Sequence, residues 1–84
     1  MTDQPFPGAD ECDQKVDARD LRCPLPLLRA KQALRNMESG QRLKVVATDS
    51  GSVRDFQSFS RISGNRLDHW QEQAGVYTYV LVKS

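Results

Sequence analysis

Hydrophobic and polar residues alternate along the chain with two different periods, which divide it into strands and helices. A period of two over residues 15–19 predicts a short strand with one face in water. From Pro24 onward apolar residues recur every three or four positions, which predicts an amphipathic helix. Gly40 follows this helix and is expected to end it as a left-handed cap. Residues 43–48 are too apolar for an exposed face, so we expect a central strand there.

The second half of the chain predicts one more helix and two more strands. Asp49 or Ser50 can accept an amide hydrogen bond as the N-cap of a second helix, which Gly64 is expected to close. The apolar positions of this helix, at helical spacing, are Val53, Phe56, Phe59 and Ile62. Residues 66–73 and 76–83 then flank a short Ala-Gly turn and predict a terminal hairpin.

The predicted element order is therefore β-α-β-α-β-β. Parallel strands joined through a helix take a right-handed crossover, and a helix buries its apolar stripe against a sheet. We expect an α/β fold, a two-layer sandwich with two helices on one face of a four-stranded mixed sheet. In this fold Trp70, Tyr77 and Tyr79 are expected to pack within the sheet and the hairpin.

Charge separates the first residues from the rest. The chain has 84 residues with a net charge of +1, yet residues 1–14 hold four acids and no Lys or Arg, so residues 15–84 carry +5. We expect residues 1–14 to be a flexible acidic tail and residues 15–84 to be one domain. The chain shows no secretory signal and no apolar run long enough to cross a bilayer, so a cytoplasmic location is expected, with no membrane partner.

The candidate chemistry lies at Arg22-Cys23-Pro24-Leu25-Pro26, where the first strand gives way to the first helix. Pro24 suits the first helical position, although a start only at Pro26 fits too, because residues before proline are pushed toward extended conformations. The helix N-terminus stabilises a thiolate, so Cys23 is expected to be an exposed, stiffly held thiol with a moderately lowered pKa. Arg19, Arg22 and Arg29 are candidate contacts for the thiolate or for a partner protein. Nearby acids are expected to oppose the lowering of the Cys23 pKa.

Two other hypotheses use different residues. A basic helix face with Arg29, Lys31 and Arg35 could dock on RNA or on an acidic protein, which would make the chain a non-catalytic binding module. Cys12, Cys23 and His69 could form a metal site or a regulatory thiol pair, but three scattered ligands are too few for zinc, so no metal is expected. A surface position is the commoner interpretation of His69.

The Cys-Pro-x-Pro sequence at the head of the first helix resembles the mark of the TusA/SirA-like sulfur-carrier family. The resemblance covers residues 16–83 and includes Gly40, the pair Thr48-Asp49 and the pair Arg54-Asp55. It departs at Asp20, where many members have glycine, and in the acidic leader with Cys12. The resemblance implies a two-layer β-α-β-α-β-β sandwich, in agreement with the order predicted above.

The resemblance also implies a function. Cys23 would accept sulfur as a persulfide from a cysteine desulfurase and pass it to an acceptor protein or enzyme, with Pro24 and Pro26 as its scaffold. The sulfur would serve tRNA 2-thiouridine formation, molybdenum-cofactor synthesis or general sulfur metabolism. We expect a sulfurtransferase-type carrier without independent turnover, a monomer that uses no cofactor and binds no nucleic acid directly.

Overall fold

The computed structural model describes residues 12–84 and forms two layers, a sheet and two helices. The predicted tail over residues 1–14 therefore falls largely outside the described residues. The elements in chain order are β1 (Gln14–Ala18), α1 (Leu25–Arg35), β2 (Arg42–Ala47), α2 (Ser52–Ser63), β3 (Arg66–Gln73) and β4 (Val76–Val82). The first strand begins at Gln14, one residue before the predicted start of the domain.

The four strands lie in the order β1-β2-β4-β3. β1 pairs parallel with β2, whereas β2 and β3 both pair antiparallel with β4. The sheet is thus mixed, β2 is central, and β3 and β4 form the terminal hairpin, as the sequence predicts. The α/β sandwich with two helices on a four-stranded mixed sheet is confirmed.

The core lies where the helices meet the two central strands. Leu43, Val45 and Ala47 alternate along β2 and are fully buried, in keeping with a strand that has one face against a helical layer. Phe56 of α2 stacks on Tyr79 of β4 with ring centroids 4.3 Å apart. This pair joins the helical layer to the sheet.

Two details of the helices differ from the sequence prediction. Ile62 continues the three-residue spacing of the apolar positions in α2 but is 82% exposed, because three-residue steps drift around a helix and place Ile62 about 120° from the buried Phe56. α1 ends at Arg35 with Asn36 as its cap, so the expected cap at Gly40 is wrong. Gly40 instead lies in the following turn, where its left-handed φ of 89° lets its amide donate to the Lys83 carbonyl. At the other helix, Gly64 closes α2 in the left-handed conformation, as expected.

Candidate functional site

Cys23 lies in the connection from β1 to α1, and its side chain is exposed. α1 begins at Leu25, so Pro24 precedes the first helical residue rather than occupying it, and Pro26 is the second residue of the helix. Pro26 is fully buried although Cys23, three residues earlier, faces solvent. The buried ring therefore fixes the start of α1 to the core, and the thiol projects from this anchored turn.

Asp49, in the loop before α2, holds the Cys23 backbone in place. Its Oδ2 atom accepts hydrogen bonds from the Cys23 amide at 3.2 Å and from the Gly51 amide at 3.1 Å. These two amides belong to loops that are far apart in sequence, so one carboxylate joins the start of α1 to the start of α2. Asp49 thus serves as a bridge between the loops, while its predicted role as N-cap falls to Gly51, which has no side-chain cap bond.

Gly51 allows these two loops to approach closely. A Cβ atom at this position would lie 2.9 Å from Asp49 Oδ2 and 3.4 Å from Cys23 Cβ. The first distance is shorter than side chains tolerate, and the Asp49 oxygen is already held by its two hydrogen bonds. A side chain at this position would therefore displace the Asp49 carboxylate from its bonds between the two loops.

Asp55, in the first turn of α2, contacts the sulfur itself. The Cys23 thiol donates a hydrogen bond to Asp55 Oδ2, with 2.6 Å between sulfur and oxygen. A thiolate and a carboxylate at this separation would repel each other, so the contact requires a proton between them. The contact therefore contains a proton, which the Cys23 thiol donates to the Asp55 carboxylate.

This contact overturns the sequence prediction of a lowered pKa for Cys23. The hydrogen bond to Asp55 raises the pKa of the Cys23 thiol above its ordinary value, and partial desolvation and the negative charges of Asp55 and Asp49 act in the same direction. Arg54 opposes the rise.

The N-terminus of α1 contributes little to stabilising a thiolate at Cys23, because few free amides are available at that end of the helix. Pro24 and Pro26 have no N–H group, and the Leu25 amide already donates to the Arg22 carbonyl at 2.7 Å. The prolines that hold the thiol in place thus also remove donors that would stabilise a thiolate.

The three predicted arginine contacts are placed differently from one another. Arg19 forms a bidentate pair with Asp17, with both nitrogen–oxygen distances at 2.9 Å. Its guanidinium group is therefore held by a residue of β1. Arg22 and Arg29 are exposed, in the loop before Cys23 and on α1. The cation that acts on the thiol is instead Arg54 of α2. A role for Arg19, Arg22 and Arg29 in partner binding stays a prediction.

The basic face of α1 contributes to a groove between the two helices. This cavity of about 420 Å³ is lined by Leu28, Lys31, Gln32, Leu34, Arg35, Phe59, Asn65 and Lys83. The Lys31 ammonium lies 5.8 Å from the centroid of the Phe59 ring, and the Lys83 ammonium donates to the Leu34 carbonyl at 2.9 Å. Two of its cations are therefore engaged with the helices themselves, one of them at the C-terminal end of α1.

The remaining possibilities are a metal site, a pair of thiols and a membrane-spanning helix. Within residues 12–84, no three His, Cys, Asp or Glu side chains are grouped so that they could hold a metal ion. Cys12 and Cys23 are both free thiols. His69 is exposed on β3, and its Nε2 atom lies 3.9 Å from Asp68 Oδ2. In this described part no helix has the length and apolar character needed to span a membrane.

Sequence reasoning missed three residues of this site: Asp49, Gly51 and Asp55. Asp49 was predicted only as a helix N-cap, and Asp55 was only part of the family resemblance, with no role attached. They lie 26 and 32 residues from Cys23, so no local spacing links them to the thiol. The one sequence signal was that the pairs Thr48-Asp49 and Arg54-Asp55 lie on either side of the start of the second helix.

The fold and the site together define a small α/β protein that presents one exposed cysteine at a strand-to-helix junction. The family model described as Sulfurtransferase TusA matches residues 14–83. The chain therefore belongs to the TusA family.

Individual proteins agree with this assignment. The chain is 50% identical over 72 residues to the sulfur carrier protein TusA of Allochromatium vinosum, covering 86% of this chain and 95% of that protein. It is 47% identical over 68 residues to a putative sulfur carrier protein of Neisseria meningitidis, covering 81% and 92% of the two chains. The crystal structure of a SirA-like protein from Desulfitobacterium hafniense superposes with a TM-score of 0.72 at 28% identity, covering 82% of this chain and 95% of that one.

Proposed function

We propose that this protein is a sulfur carrier that holds sulfur as a persulfide on Cys23. The observation that carries the proposal is the exposed Cys23 thiol on a turn anchored by the buried Pro26. A thiol exchanges sulfur only where a second protein can reach it, and this position gives that access. Membership of the TusA family, with relatives named sulfur carrier proteins, supports the same role.

The transfer needs only the chemistry of thiols and persulfides. Cys23 Sγ attacks the outer sulfur of a donor persulfide, and a new S–S bond forms at Cys23. The S–S bond of the donor breaks, and the donor sulfur leaves with the electron pair and takes up the thiol proton. An acceptor nucleophile later attacks the terminal sulfur of Cys23–S–SH, which returns Cys23 to the thiol. The carrier supplies position and access, so it has no turnover by itself.

A cysteine desulfurase is the proposed donor, and the proposed acceptor is a protein or enzyme of tRNA 2-thiouridine formation, molybdenum-cofactor synthesis or general sulfur metabolism. A cytoplasmic location fits this chemistry, because reducing conditions there keep Cys12 and Cys23 as thiols. Pro24 and Pro26 are the proposed scaffold of the thiol, and Arg19, Arg22 and Arg29 the proposed partner contacts.

The proposal is tested by sulfur loading. Incubation with a cysteine desulfurase and cysteine should add one sulfur atom to the protein, which intact-mass spectrometry measures. Cys23→Ser should abolish the addition, whereas the matched control Cys12→Ser should keep it. An adduct that persists in Cys23→Ser, or no adduct with any of several desulfurases, would contradict the proposal.

The binding-module alternative is separated by a nucleic-acid assay. We expect no salt-sensitive RNA affinity, since the groove cations Lys31 and Lys83 already contact the helices. RNA binding that weakens with salt and persists in Cys23→Ala would favour the alternative.

A further inference from the structure

The carboxylate of Asp55 is placed to control the proton on Cys23. Its Oδ2 atom is 2.6 Å from Sγ, while Asp49 separately holds the Cys23 backbone amide. Asp55 lies in the first turn of α2, and its own amide is fixed by a bond to the Gly51 carbonyl. Helix α2 and the Asp49 bridge thus hold both partners of the thiol–carboxylate contact.

Two acids and one cation act on the Cys23 sulfur, so negative charge predominates among them. The groups that act on Cys23 are Asp55 and Arg54 from α2 and Asp49 from the preceding loop. Arg22 and Asp20 flank it along its own loop. Within residues 12–84 the ion pairs involve Asp17 and Asp68, whereas neither Asp49 nor Asp55 forms one. An unpaired carboxylate beside a thiol stabilises the protonated form and opposes its ionisation.

We propose that Asp55 is the positioning residue of this site: its carboxylate holds the Cys23 sulfur as a protonated thiol in the unloaded protein and keeps it slow to react with small electrophiles. The inference rests on the proposed function for the use of Cys23 as a nucleophile. It adds that the free carrier is held in its less reactive form, which limits attack on bystander electrophiles, since the thiolate is the reactive species.

Alkylation with iodoacetamide tests this without any sulfur donor. In that reaction Sγ forms a bond to carbon, iodide leaves, and the thiol proton passes to the buffer. The rate is measured across pH in a Cys12→Ser background, so that only Cys23 reacts. The midpoint of the profile reports the proton affinity of Cys23, and the plateau at high pH reports access to its thiolate and the nucleophilicity of that thiolate.

Asp55→Asn should move the midpoint to lower pH and lower the high-pH plateau by about threefold for each pH unit of that move, because a less basic thiolate is a weaker nucleophile. If the midpoint falls by about one pH unit, the thiolate fraction at pH 7 rises about tenfold while the lower basicity reduces its nucleophilicity, so the rate at pH 7 should rise about three- to fourfold. Asp55→Glu, which restores a carboxylate, should return the midpoint toward the parent value. Asp20→Asn, which removes an acid from the loop of Cys23 itself, is the matched control and should leave the midpoint in place.

An unchanged midpoint in Asp55→Asn, or an equal change in Asp20→Asn, would overturn the proposal. If Asp55→Asn fails to fold, the parent protein still provides a test that can overturn the proposal. Its midpoint must lie above that of an unstructured peptide spanning residues 20–26, and a midpoint at or below the peptide value also overturns the role of Asp55. Because no donor is present, failure here is distinct from failure of sulfur loading.

Discussion

At the scale of single residues, Asp20 shows what the departure from the family pattern means physically. Its φ of 68° is in the left-handed region, where glycine is favoured and where Asp is tolerated better than most residues. Its amide donates to Thr48 Oγ1 at 2.8 Å, which fixes the turn that leads to Cys23. The turn thus keeps the backbone conformation that glycine would adopt, without the glycine.

Substitution at Asp20 should therefore follow backbone preference. Asp20→Val should lower the free energy of unfolding by about 1–2 kcal/mol, because a β-branched residue resists a positive φ. Asp20→Gly should stay within about 1 kcal/mol of the parent, since glycine adopts this φ freely but loses more chain entropy on folding. Urea unfolding measures both, and equal stability of the Val and Gly variants would show that the turn does not impose this conformation.

At the scale of elements, the N-terminus of α2 completes the site that begins at α1. Asp49, Gly51 and Asp55 reach Cys23 from one short stretch, which also starts the helix. The contact between the two loops depends on the missing side chain at Gly51. The site is therefore a property of the packing between two helix starts, and neither helix contains it alone.

Gly51→Ala should weaken this junction. The new methyl group would force Asp49 Oδ2 away from the Cys23 and Gly51 amides, at a cost of about 1–3 kcal/mol in the free energy of unfolding. Urea unfolding of Gly51→Ala, Asp49→Ala and the double variant gives the coupling. The cost of Gly51→Ala should shrink in the Asp49→Ala background, and purely additive costs would contradict the proposed clash.

At the scale of the whole molecule, Tyr79 links the two layers and the site loop. Its ring stacks on Phe56 and Trp70, with centroids 4.3 and 6.1 Å away. Its hydroxyl is 2.6 Å from Ser52 Oγ, which itself donates to the Asp49 carbonyl. Since serine has a single hydroxyl proton, Tyr79 is the donor in their bond. This chain of contacts connects the sheet to the loop that holds Cys23.

The same burial makes global stability sensitive to high pH. Burial raises the pKa of Tyr79 from 10.0 to about 12. The folded protein keeps this proton more tightly than the unfolded chain, so the stabilisation is complete below about pH 10 and is lost as pH rises toward about 12. The loss is of the order of 2–3 kcal/mol.

Tyr79→Phe should reduce that alkaline loss, and Tyr77→Phe is the matched control because Tyr77 is only half-buried on the same strand. Thermal unfolding at pH 8 and at pH 11 measures the difference. An equal fall of the melting temperature in the parent and in Tyr79→Phe would show that Tyr79 does not carry the effect.

Local sequence patterns were sufficient to predict the element order, the central position of β2, the hairpin and the exposure of Cys23. These follow from local periodicity and from turn residues such as Gly64, which act over a few positions. Local patterns misplaced the end of α1, because a helix end depends on which turns contact the sheet. They also misplaced Ile62, because apolar positions three residues apart drift around a helix.

The protonation chemistry of the thiol depends on contacts that form only when the chain folds. The sequence near Cys23 shows arginines and a helix start, which predicted a moderately lowered pKa for the thiol. The prolines, however, remove amide donors, and α2 brings in Asp55. That carboxylate is 32 residues away along the chain and 2.6 Å away in space. Electrostatic effects depend on distance in space, so the fold, which sets that distance, determines whether the sulfur keeps its proton.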